Sequence, residues 1–147
     1  MIVEPRDNIW MAVMYIALGI LIGLWAGDAK ASLNSKHSNE KGYQKEFCIN
    51  GLMEKTLVDR SRVDCETIGL AVEIDYARNF KYAIGQALHY SAVLNKFPGV
   101  VLIMETKKDC AYLDRLYKLL AFHRIKSMIF EIGPYAYRCA PLTQEIM

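Results

Sequence analysis

Asp64, Glu73 and Asp75 are carboxylates nine and two residues apart, and Gln86 and Tyr90 follow with a spacing of four. Two carboxylates held at adjacent strand ends are what a hard divalent cation needs, because Mg²⁺ takes oxygen ligands and few protein groups. A Gln and a Tyr one helical turn apart, beside such a cation, orient a phosphate or a base. The chemistry implied is phosphodiester cleavage, or descent from a protein that performed it.

The elements that must position these residues follow from periodicity. Tyr43 to Asn50 reads as a short helix ended by Asn50-Gly51. Leu52 to Leu57 and Arg62 to Thr67 read as strands joined by the turn Val58-Asp59-Arg60-Ser61, and a third strand runs from Gly69 to Ile74. Tyr76 to Leu94 is the longest helix, with Phe80, Ala83, Ile84, Ala87, Leu88, Ser91 and Leu94 as its apolar stripe. Lys96-Phe97-Pro98-Gly99 stops it. Val100 to Met104 is wholly apolar and mostly β-branched, as expected of a central strand covered on both faces. Asp109 is placed to cap another helix, with Leu113, Leu116, Tyr117 and Leu120 on one side. Ile125 to Ile132 is a last strand. Helix, three strands, helix, strand, helix, strand predicts an α/β fold with a mixed sheet flanked by helices.

The chain has 147 residues, enough for one domain with a modest core. Its net charge of +2 provides no bulk basic field to draw in nucleic acid. Ile9 to Trp25 is an uncharged apolar run, about 25 Å long as a helix, against about 30 Å for a hydrocarbon core. Ala29-Lys30-Ala31 after it fits a signal-peptidase site, whereas Glu4 and Asp7 outweigh Arg6 before it. Residues 1–31 are therefore a signal peptide or a membrane anchor, and the protein is exported or anchored in the inner membrane. Of 18 basic and 16 acidic residues, Arg6 and Lys30 against Glu4, Asp7 and Asp28 fall in that segment, which leaves 16 and 13. Residues 32–42 read as a polar linker and 43–147 as the globular domain. Cys48, Cys65, Cys110 and Cys139 lack a C-x-x-C pair, which argues against zinc. They are buried thiols, or two disulfides with three possible connectivities.

This order, with Asp64 on the second strand and Glu73-Ile74-Asp75 ending the third, resembles the core of the PD-(D/E)XK nuclease superfamily over about residues 43–132. The stretches Arg62-Val63-Asp64, Ala71 to Asp75, Ala83 to Tyr90 and Pro98 to Leu102 are similar to small bacterial members carrying a Gln-x-x-x-Tyr helix motif. The resemblance implies a restriction-endonuclease-like sheet, Mg²⁺ (or Mn²⁺) held by Asp64, Glu73 and Asp75, and nucleic acid as partner. Gln86, Tyr90 and Glu46, the last matching an acidic residue on the first helix, would bind substrate. The chain departs from the motif where it matters most, because Asp75 stands in the place of the lysine. On the helix that follows, Asn79, Gln86 and Tyr90 fall within about 40° of one another, with Arg78 about 80° and Lys81 about 140° from Gln86. Arg78 and Lys81 are then the candidate catalytic cations, stabilising charge on the phosphate.

Two further readings use the same residues: a binding module with the fold but no chemistry, and a cell-envelope interaction protein whose acids are ion-paired. No G-x-S-x-G elbow, G-x-x-x-x-G-K-[ST] loop or G-x-G-x-x-G fingerprint occurs.

Overall fold

The computed structural model describes residues 35–139. The apolar run from Ile9 to Trp25 and the cleavage site expected after it lie outside them. Among the described residues no helix is long and apolar enough to cross a membrane.

The first helix, α1, spans Glu40–Phe47. It starts inside the segment expected to be linker, because Asn39 caps it by accepting the Gly42 N–H at 3.1 Å. The chain before the cap folds back onto the helix. Ser35 Oγ donates to Glu46 at 2.6 Å, and the His37 ring pairs with the same carboxylate and meets Tyr43 edge-on. Gly42 permits this, since a Cβ there would stand 2.7 Å from the His37 side chain.

Strands β1 (Leu52–Thr56), β2 (Arg62–Glu66) and β3 (Leu70–Tyr76) form an antiparallel meander. A 3-10 turn, Ala77–Asn79, leads into helix α2, Phe80–Leu94, so the regular helix begins four residues later than periodicity suggests. Asn95 ends it at φ 50, a left-handed position that asparagine tolerates. Strand β4 runs Phe97–Ile103 and β5 Met128–Ile132, both parallel to β3. Spatial order is β1-β2-β3-β4-β5, a five-stranded mixed sheet. β4 extends through Pro98, expected to be a stop. Proline is tolerated near a strand start, and the Pro98 carbonyl accepts from Ser127 Oγ at 3.1 Å. Helix α3 is Cys110–His123. Its entry is a capping box from Thr106 to Asp109 rather than a cap by Asp109 alone.

The sheet is covered on both faces. α2 and α3 lay Phe80, Ala83, Ile84, Ala87, Leu113, Leu116 and Leu120 over Val100, Leu102 and Met104. On the other face Tyr43 of α1 packs with Val72, Ile74, Val101, Ile103 and Ile132. A smaller cluster joins Tyr90 to Leu57, Val63 and Ala71. Two disulfides close the fold, Cys48–Cys65 and Cys110–Cys139. The first ties the end of α1 to the residue after Asp64.

Candidate acidic site at a fork in the sheet

Residues two apart on a regular strand share a face, yet Val63 lies under α2 and Cys65 under α1. The strand therefore rotates at Asp64. Pairing of β2 with β3 consists of Cys65↔Val72 and Glu66↔Ala71. Beyond it the Ile74 N–H is taken by Asp64 Oδ2 at 2.9 Å, so a side chain replaces the strand partner. On the other flank Glu54 stands across from Asp64, between the pairs Met53↔Cys65 and Lys55↔Val63, at φ 54. Positive φ is uncommon for a residue with a Cβ and marks a local distortion. The ladder opens around one aspartate, and groups from both faces of the sheet meet in the gap.

Glu73 comes from β3, paired in register with Val100 at the centre of the sheet, and is only 6% exposed. Its carboxyl feels that of Asp64 on the neighbouring strand. Burial, then the charges of Asp64, Asp75 and Glu40, push Glu73 up from 4.5 to about 9, so it holds its proton at neutral pH. Burial also raises Asp64, against hydrogen bonds from the Ile74 N–H and the Gln44 side chain that lower it. Glu40 on α1 is raised as well, by burial and then by Asp75, Asp64 and Glu54. The groups that shift these acids most are acidic or neutral. Arg62 pairs with Glu54 at 3.2 Å at the exposed rim.

Two polar atoms buried here lack a hydrogen-bond partner, Glu73 Oε2 and Gln44 Oε1. Buried polar groups are nearly always paired, so an orphan calls for an explanation. A cation bound by Asp64 and Glu73 would take the Glu73 oxygen, displace its proton and relieve the repulsion. Among the described residues no three His, Cys, Asp or Glu side chains stand in a ready-made cage. Mg²⁺ does not require one, since it keeps several waters and is commonly held by one or two carboxylates. The donor set fits such an ion.

The remaining expected residues are distributed unevenly. Asp75 Oδ1 accepts from Asn79 Nδ2 at 2.9 Å and from the Tyr76 N–H at 2.6 Å, at the end of β3. Gln86 Nε2 donates to the Tyr90 hydroxyl at 3.1 Å. Tyr90 is buried rather than a polar edge, and burial followed by the Glu73 charge raises its hydroxyl. Arg78 is exposed and lies over the Tyr76 ring, 4.4 Å from its centroid. Lys81 is exposed too, with its ammonium 6.0 Å from the Phe80 ring. The Glu46 carboxylate is engaged by Ser35 and His37, and Glu40 is an α1 acid whose charge acts on Glu73. Glu40 lies before the helix expected from Tyr43, and Gln44, inside it, belongs to no motif; their spacing of four, which puts both on one side of a helix, was the available signal.

Compared with protein-family models, curated proteins and solved structures, the chain matches none. The functional reading therefore rests on the geometry of this cluster.

Proposed function

We propose that this chain is a metal-dependent phosphodiester hydrolase of restriction-endonuclease-like fold, acting on nucleic acid outside the cytoplasm. The observation that carries the reading is the Asp64–Glu73 pair, a half-buried and a buried carboxyl at a fork in the sheet, with the buried Glu73 Oε2 unclaimed. Such an arrangement is costly without a counter-charge, which favours a site meant to hold one. Asp64 and Glu73 hold Mg²⁺ or Mn²⁺, with Asp75 at the edge. The ion, when bound, supplies a Lewis acid for the phosphate and makes water more acidic. Asp64 stays fixed through the Ile74 N–H while this happens. Tyr90 and Gln86, already hydrogen-bonded to each other, present a hydroxyl and an amide to the phosphate or base. Arg78 and Lys81 are exposed on the first turns of the following helix and offer charge to the backbone of a bound strand. Two disulfides suit an oxidising compartment, and agree with residues 1–31 as an export signal or an inner-membrane anchor.

One observation favours a second reading, a binding module that has lost catalysis. Asp75 stands where the resemblance calls for lysine, and Asn79, on the face a displaced lysine would use, donates to Asp75 instead. The experiment that separates the two is cleavage of labelled double-stranded DNA, single-stranded DNA and RNA by the purified chain, in Mg²⁺, Mn²⁺ or EDTA. Cation-dependent cleavage that is lost in Asp64→Asn and Glu73→Gln is the expected result. Binding without cleavage selects the module. If neither cation nor nucleic acid binds, both readings fail.

A further inference from the structure

We propose that an unpaired nucleic-acid strand lies along the outer face of α2, with a base stacked on Tyr82 and the strand seated over Gly85. The inference rests on the reading of this chain as acting on nucleic acid, and adds to it a substrate class, the single strand. Gly85 is interior to α2, a helix of 15 residues, where glycine is less stable than alanine. A glycine in such a place commonly makes room for a neighbour, yet a Cβ built on Gly85 would meet nothing within 4 Å. Its φ is not positive either. Neither crowding nor backbone geometry calls for glycine here. What the missing side chain leaves is bare helix surface, which another molecule can approach closely.

Around that bare strip stand the groups that a polyanion with flat bases would use. Tyr82, one turn earlier, is 74% exposed. Gln86, also exposed, lies four residues beyond Tyr82 and so on the same side of the helix. Arg78 and Lys81 are exposed on the turn before. No Asp or Glu occurs from Tyr76 to Met104, so α2 opposes no carboxylate of its own to a phosphate. Every base has a π-face that can cover an exposed ring, whatever the sequence. A base reaches that ring only when it is unpaired, which selects a single strand over a duplex. The face also adjoins the acidic site. Gln86 donates to the Tyr90 hydroxyl at 3.1 Å, and Tyr90 packs against Val63, which precedes Asp64. Further along α2, His89 pairs with Asp59 at 2.6 Å, an anion that bounds the path of the strand.

The test is fluorescence anisotropy of the full chain in EDTA, with labelled oligothymidine, oligouridine and a DNA duplex. Wild type should bind the single strands more tightly than the duplex. Tyr82→Ala should weaken single-strand binding about tenfold, and Tyr82→Phe, which keeps the ring, should bind as wild type does. Gly85→Leu covers the bare strip and should weaken binding by a similar factor. Gly85→Ala should raise the melting temperature, because the added methyl meets no neighbour and favours the helix. Phe122→Ala removes an 83% exposed ring from α3 and should leave the affinity unchanged. Single-strand affinity that survives both Tyr82→Ala and Gly85→Leu overturns the proposal, as does tighter binding of the duplex. Cation-dependent cleavage lost in Asp64→Asn would then still stand. A lower melting temperature for Gly85→Ala shows that the glycine serves the fold, and overturns the place given to it. If Gly85→Leu does not fold, Tyr82→Ala decides alone. Wild type that binds neither strand, or only phosphatidylglycerol vesicles, overturns both this inference and nucleic acid as substrate.

Discussion

Glu73→Gln asks whether the fork really traps a proton that a cation should displace. Glu73 titrates near 9 in the folded chain against an ordinary 4.5. Below 4.5 both folded and unfolded chains carry the proton. Between 4.5 and about 9 only the folded chain does, so its stability falls with rising pH by about 1.4 kcal/mol per unit. At pH 7 the accumulated loss is at most about 3 kcal/mol. Glutamine has the same shape, carries no charge at any pH and offers Asp64 an N–H in place of the carboxyl proton. In EDTA, Glu73→Gln should therefore exceed wild type by up to about 3 kcal/mol at pH 7 and match it near pH 4.5. Saturating Mg²⁺ should reverse the order, adding about 4.1 kcal/mol to wild type at a thousand times its Kd and nothing to the variant. Urea unfolding followed by circular dichroism, at several pH values with the disulfides intact, measures all of this. Wild-type and variant curves that run parallel from pH 5 to 8 would refute the reasoning.

Other perturbations test the supports of the site. Glu66 is buried and clasped by Lys55 and by Lys96 at 2.6 Å, which hold its carboxyl below the ordinary range. Its stabilisation is complete above pH 4.5 and is lost as pH falls through the depressed value. Lys96→Met should therefore cost about 1–2 kcal/mol at pH 7 and less at pH 3, read by urea unfolding. Replacing Cys48 and Cys65 together by alanine frees α1 from β2, and should remove about 3 kcal/mol by the loop-entropy relation. Cation affinity should fall with it, by calorimetry. Tyr90→Phe keeps the ring packed against Val63 and Ala71 but leaves the Gln86 amide without its 3.1 Å partner. Stability should change by no more than about 1 kcal/mol, while the affinity for a nucleic-acid strand, measured by fluorescence anisotropy, should drop several-fold.

Periodicity carried the element order because each apolar stripe must be covered. Val100 to Met104 could only be an interior strand, and Phe80 to Ala87 only the covered face of a helix. Asp64 and Glu73 stood out in the sequence because two carboxylates at adjacent strand ends suit a hard cation. The boundaries were weaker where a single side chain decides them. Asn39 pulls the first helix back to Glu40, and Thr106 with Asp109 puts a 3-10 turn ahead of the last one.

By itself the amino-acid sequence determined the α/β class, the five strands and the strands that bear the acids. These depend on local spacing and on which faces must avoid water. The tertiary structure alone decided which cysteines pair, that the charge of Glu40 reaches Glu73, and that Tyr90 is buried. It alone also opened the ladder at Asp64, whose carboxylate takes the Ile74 N–H ten residues on. Each of these depends on elements distant in sequence competing for the same space and the same hydrogen bonds, a competition that no local pattern records.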